Sequence, residues 1–313
     1  PCHIGPLYKY ASSRLRALLR RSKPSPAASR VIDTRGSLGG SATMTLPPKL
    51  LVHLAHLRQA LGAAVSLELD GSARAGSFVL RGRQATLTLP GVFADPVLAF
   101  GELDSRGSWQ VDGGDGARAL TLTLADTKVA NADLAGSAQG SVHLALDAGA
   151  PPARIDLKAN LSRAEPTAVW RYLPLKVNVM ARDWVQQSIG AGRVSGARLL
   201  LQGPLAEFPY PKGEGRFEVD VDIATLALRF SPKWPALEDV QGQLLIRGPQ
   251  LKVEARSAQS YGTTLGPVTA VIPDLEADDP VLDVDGKVRG SSADFFRYLA
   301  DTPLRERLQG VLT

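Results

Sequence analysis

His53 and His56 are spaced so that a helix would carry both imidazoles on one side, the first requirement of a shared metal site. No carboxylate or further histidine lies close enough in sequence to complete a ligand set, so an exposed helix face accounts for the pair. His143 falls on the outward phase of a strand without a paired nucleophile, and no Gly-x-Ser-x-Gly elbow frames a serine. The run Asp112-Gly113-Gly114-Asp115-Gly116 resembles a calcium loop but occurs once, and a hairpin turn explains it. Asp283-Val284-Asp285-Gly286 places its glycine fourth, where a calcium-binding helix-loop-helix needs it sixth. Gly213-Glu214-Gly215 lacks the Lys-Ser/Thr of a phosphate loop and reads as a turn. Cys2 is the only cysteine, so an intrachain disulfide and a cysteine-based metal site are both excluded. Trp170, Trp184 and Trp234 could stack on sugars, but two fall in helical segments and one adjoins Pro235, which fits packing of inserts against a sheet end. Nothing converges into a catalytic constellation: the sequence predicts no enzyme, no metal and no cofactor.

Charge excludes a second class. The net charge is +5, yet residues 1 to 40 hold eight basic side chains against Asp33 alone, leaving the body of the chain slightly acidic. Such a body cannot present the continuous basic surface that binds phosphate backbones, so nucleic acid is not an expected partner. The best candidate for a membrane span, Leu46 to Val65, is interrupted by Lys49, His53, His56 and Arg58, and no apolar stretch follows Arg14 to Arg21 as a signal peptide would require.

The elements that would position any site are mostly strands. Aromatics are sparse at 6%, while 30 Gly and 22 Pro punctuate the chain into short segments. Residues 1–42 read as a basic, disordered leader without periodicity. A first β-rich section is expected over 43–165, and a second, with helical inserts and cut short at the C-terminus, over 166–313. Leu50 to Leu61 carries leucines at helical spacing, and from Val65 onward apolar residues alternate with small or polar ones in runs closed by Gly, Pro, Asp or Asn. About fourteen such strands are predicted, with Phe78 and Leu80 on one and Leu87 and Leu89 on the next, and with Phe217 to Ile223 and Leu226 to Phe230 taken as separate strands. Helical interruptions are expected at Pro166 to Tyr172, at Arg182 to Ile189 ending on Gly190 and Gly192, and at Ser292 to Leu299.

Three short helices cannot cover a sheet of that extent. Its apolar face must therefore be hidden by a second sheet, by closure into a barrel, by a membrane or by a ligand. The residues expected on that face are Leu199, Leu201, Phe217, Val219, Val221, Leu226, Leu228, Phe230, Leu244 and Ile246, with Arg216, Asp220, Asp222, Arg229 and Arg247 opposite. Hydrocarbon laid on such a face would gain about 0.8 kcal/mol per CH₂, without directionality, so a lipid could slide from strand to strand.

One set of anchors points to a family. It comprises Trp170-Arg171-Tyr172-Leu173-Pro174, Arg182-Asp183-Trp184-Val185, Gly190-Ala191-Gly192-Arg193-Val194, and Gly203-Pro204-Leu205 leading to Phe208-Pro209-Tyr210. Gly215-Arg216-Phe217, Trp234-Pro235, Ile272-Pro273-Asp274-Leu275 and Phe295-Phe296-Arg297-Tyr298-Leu299 before Thr302-Pro303-Leu304 continue it, and Thr86 to Pro90 with Phe93 and Trp109 lie upstream. Their order and spacing resemble the central region of the YhdP-type branch of AsmA-like proteins, over roughly residues 62 to 313. The resemblance implies a segment of a long periplasmic protein of Gram-negative bacteria, held at the inner membrane by an N-terminal helix absent from this piece. It also implies an elongated, twisted antiparallel sheet curled into an open apolar groove that carries phospholipid toward the outer membrane. The residues alone leave a second possibility open: a structural or assembly β-protein of the envelope, with a closed core and no lipid cargo. An outer-membrane barrel ranks last, because the strands are short and lack aromatic girdles.

Overall fold

The computed structural model describes residues 30–33, 65–72, 74–88, 93–113, 117–147, 151–175, 177–277, 279–303 and 305. The Leu50 to Leu61 segment, His53, His56, Cys2 and residues 114–116 of the Asp112 to Gly116 run lie outside the described residues.

Thirteen strands occur among the described residues, in one open antiparallel sheet whose spatial order is the chain order. They are β1 (Arg30–Asp33), β2 (Val65–Gly71), β3 (Ala75–Thr88), β4 (Val97–Asp112), β5 (Ala119–Ala130), β6 (Leu134–Ala145) and β7 (Arg154–Ala164). After a helical insert come β8 (Ile189–Pro204), β9 (Arg216–Leu228), β10 (Glu238–Arg247), β11 (Gln250–Ser260), β12 (Thr263–Ile272) and β13 (Asp283–Arg289). The insert contains a 3-10 helix, Pro166–Tyr172, and helix α1, Val179–Ser188, while α2 spans Ser292–Ala300. A meander of this kind needs only short connections, and polar turn residues supply them. At the β5–β6 turn the Asn131 side-chain oxygen accepts from the backbone N–H groups of Asp133 and Leu134 at 2.9 and 2.8 Å.

The chain divides into two compact units, Pro1–Leu161 with Leu199–Phe217, and Ser162–Arg198 with Glu218–Thr313. In the first unit, glycines on the sheet are roofed by aromatic side chains. A Cβ on Gly107 would stand 2.5 Å from the Phe78 ring and 2.1 Å from the Thr123 carbonyl oxygen. Trp109 lies likewise over Gly76 and donates its indole N–H to the Ser72 carbonyl at 3.1 Å. Large rings thus replace the packing that glycine withholds from a strand. Fully enclosed apolar residues gather where β5 and β6 meet, with Leu146 at 1% exposure, and there Arg118 and Asp147 form a paired salt bridge at 2.8 Å.

Several expectations need correction. Phe78, Leu80 and Leu87 belong to one long strand, β3, because Gln84 takes a positive φ of 53° and lets the strand continue through a local irregularity. Leu226 and Leu228 are likewise the continuation of the Phe217 strand as β9 and not a separate strand. Phe230 lies beyond the end of β9, as does Arg229. Gly190 and Gly192 do not end a helix: β8 begins at Ile189 directly after α1, and a Cβ on Gly192 would stand 2.5 Å from the Thr225 carbonyl oxygen. Finally, the expected disordered leader contains β1, which pairs antiparallel with β2.

Candidate functional site: an open apolar sheet face

Within the second unit, register turns alternation into rows. Val219 of β9 stands opposite Ile246 of β10, which faces Leu251 of β11 and then Ile272 of β12. The next row is Val221, Leu244, Val253, Ala270 and Val284, and the third is Ile223, Gly242, Ala255 and Val268. Residues directly opposite in neighbouring strands share a face, so these rows form one apolar surface across strands about 4.8 Å apart.

The reverse face of the same strands is polar. Arg247 makes an ion pair with Asp220, Gln243 donates to Asp222 at 2.7 Å, and Lys252 meets Glu254 at 2.5 Å. These bonds hold the polar groups of β9 to β11 on one side and leave the other side to apolar side chains.

Burial along the rows is uneven. Ile223 is 5% exposed, and Leu226 and Leu228 pack against the small core of Val240, Ala255 and Ala258, together with Leu237, Leu265 and Val268. Val219, Val221, Leu244, Ile246, Leu251 and Val253 are only half-buried. A second sheet packed on this face at the density of a protein interior would have enclosed them. Among the described residues the face is therefore closed at Ile223 and Ala255 and only half-covered along the Val219 and Val221 rows.

The ten residues expected from sequence are thus distributed over different environments. Val219, Val221, Leu244 and Ile246 come together on the open rows, and Leu226 and Leu228 join the small core. Leu199 and Leu201 are half-buried on β8 in the first unit. Phe217 is roofed by its own chain: Phe208 packs edge-on against it with ring centroids 4.8 Å apart, and Tyr210 packs edge-on against Phe208 at 6.1 Å. Phe230 sits off the sheet, its carbonyl accepting from the Trp184 indole at 2.9 Å and its ring 6.4 Å from the Trp184 ring.

Sequence reasoning left Leu251, Val253 and Ile272 out of the site, although their strand alternation is plain; only register shows that they extend the same rows. It also passed over Tyr210, whose ring covers Gly203 and Gly215. That tyrosine is 4% exposed, its hydroxyl has no hydrogen-bond partner among the described residues, and burial raises its pKa, with Arg154 opposing the shift. Tyr298 is raised by burial as well.

His143 shares a 3.1 Å contact with the Thr121 hydroxyl across β5 and β6 and belongs to that strand pair. Trp234 packs against Tyr298 of α2 at 6.3 Å, and the Arg171 guanidinium lies 5.9 Å from the Trp170 ring. No group of three potential metal ligands occurs among the described residues, and no described helix is long and apolar enough to cross a membrane.

The sequence matches the family model described as YhdP protein over residues 59–313. It is also 30% identical over 161 residues to the intermembrane phospholipid transporter YhdP of Escherichia coli strain K12, an alignment covering 50% of this chain and 12% of that protein. The chain therefore spans only a small part of the relative it matches. No solved structure gives a significant match.

Proposed function

Since the chain belongs to the YhdP family, we propose that it binds phospholipid acyl chains on its open apolar sheet face and forms part of a device that moves phospholipid between the two membranes of the envelope. The observation that carries this reading is the set of half-buried rows led by Val219 and Val221, an apolar surface that the described residues leave only partly covered. The relative is an intermembrane phospholipid transporter, and the tails of that cargo suit such a surface.

The physics is that of a smooth track. Ten acyl carbons moved from water onto the rows would gain up to about 8 kcal/mol, less where one side of the tail still faces water. The attraction depends on area and not on direction, so a tail can shift from one row to the next without breaking a specific bond. The polar reverse face, held by Asp220, Asp222 and Arg247, keeps the strands soluble on the side that carries no lipid. No catalytic step is assigned to the segment. In the full-length protein this segment would work in the periplasm, tethered to the inner membrane by an N-terminal helix.

Lipid extraction and native mass spectrometry of protein purified without detergent test the proposal. Phospholipid should co-purify in stoichiometric amounts; protein that folds and carries none overturns the reading.

A further inference from the structure

In the second unit the two ends of the strands are built differently. At the end where β9 stops, the loop over 229–237 folds back on the sheet. Leu228 and Leu237 exchange backbone hydrogen bonds at 2.8 Å, and the Ser260 hydroxyl donates to the Ala236 carbonyl at 3.1 Å. Trp234 of that loop packs against Tyr298 of α2, the helix that follows β13 at the same end. Ile223, Val240, Ala255 and Ala258 are enclosed here, none of them more than 9% exposed. Ser260 and Thr263, on either side of the β11–β12 turn, are 3% and 2% exposed.

The opposite end has no such cover among the described residues. There Gly248 and Pro249 alone join β10 to β11, and the segment after β12 meets the turn where the Leu275 backbone N–H donates to the Pro249 carbonyl at 2.9 Å. Leu275 and Val281 of that segment are 38% and 62% exposed. No residue of the Val219 row or the Val221 row is buried, and on the outer strand Val284 is 62% exposed. From Leu251 to Ala255, at 3.3 Å per residue, roughly 13 Å of half-covered strand separates the turn from the enclosed core.

A strip of this kind has one wet margin and one dry one. A phosphate keeps its hydration only at the wet margin, because an unpaired charge is among the costliest groups to take out of water. The end of an acyl tail loses nothing at the dry margin and gains contact with Ile223 and Ala255. Charges of both signs stand near the wet margin, Arg247 with Asp274 and Glu276, so headgroup charge does not set the orientation; the difference in burial does. Along the rows, by contrast, the apolar surface runs from β9 to β12 without a break.

We propose that phospholipid lies on this sheet in one orientation, its tail ends stopped at the Ile223 and Ala255 row and its phosphate at the Gly248 and Pro249 margin. The inference rests on the cargo reading and adds a direction to it: the lipid passes from strand to strand along the rows with its headgroup kept to one side. Ile223, Val240 and Ala255 form the floor that sets how far a tail reaches.

The test uses the full 313-residue chain in a Cys2→Ser background, so that one introduced cysteine carries a fluorophore. Gln241→Cys places it beside Gly242 at the level of the floor, and Gln250→Cys places it at the β10–β11 turn, about 20 Å away along the strand. Both glutamines are exposed, so neither label disturbs the sheet. The labelled chains are loaded with phosphatidylcholine that bears a nitroxide either near the tail end or on the headgroup. The tail-end nitroxide should quench the label at position 241 severalfold more than the label at 250, and the headgroup nitroxide should do the reverse. Equal quenching of the two labels by both probes, or the opposite pattern, overturns the proposal and leaves cargo binding standing. A chain that takes up neither lipid overturns the cargo reading and the orientation together, a result distinct from binding without orientation.

Discussion

Leu244 on β10 stands opposite Val221 on β9, a register pair whose two side chains remain half-buried on the apolar face of the sheet. A carboxylate at this point would sit where hydrocarbon is proposed to lie, and burying it there would cost several kcal/mol. Leu244→Asp should therefore reduce co-purifying phospholipid severalfold while leaving far-UV circular dichroism unchanged. Leu245→Ser, one residue along and on the reverse face opposite Asp220, should leave the lipid content as it is.

Arg118 and Asp147 hold the enclosed end of the first unit, with side chains only 16% and 13% exposed. Two guanidinium contacts, at 2.8 and 3.1 Å, and the Arg118 backbone N–H at 3.1 Å all end on the same carboxylate. Asp147→Ala removes all three of these bonds from a mostly buried arginine and should destabilise by about 3 kcal/mol, read from urea unfolding of the wild type and variant.

Gly107 admits no side chain, because its Cβ would collide with backbone at Thr123 as well as with the Phe78 ring. Gly107→Ala should cost about 2 kcal/mol or more in the same unfolding assay. Gly213, at φ +80° with open space around it, pays only the backbone strain, and Gly213→Ala should cost about 1 kcal/mol.

Tyr210 makes stability depend on alkaline pH. Burial raises its pKa above the ordinary 10.0, so the folded state holds the phenolic proton more tightly than the unfolded state does. The stabilisation is complete below pH 10 and is lost as pH rises through the folded pKa. Tyr210→Phe should flatten that alkaline loss in thermal melts recorded from pH 8 to about pH 11. At neutral pH the variant should gain about 1 kcal/mol, because it removes a buried hydroxyl without a partner and keeps the ring over Gly203 and Gly215.

Much of the architecture was legible in the chain. Alternation from Val65 onward marks nearly every strand, and Glu165-Pro166 and Ser292 mark the starts of the 3-10 helix and of α2 where the structure has them. Strand ends were harder to read. Gln84 and the Ile223 to Leu226 step interrupt the period of two without ending the strand, and an interruption of that kind looks in sequence like a turn.

The sequence by itself determined that the protein is a β meander with one greasy and one polar side, because side-chain alternation is a local property of extended backbone. It also carried the family, in anchors such as Trp170 to Pro174 and Gly203 to Leu205. Only the tertiary structure decided which greasy residues stay open. Phe217 is covered by Phe208 and Phe230 is drawn off to Trp184, while Val221 and Leu244 are left half-exposed. Cover depends on loops and helices that fold back from elsewhere in the chain, and the pattern along a single strand holds no record of them.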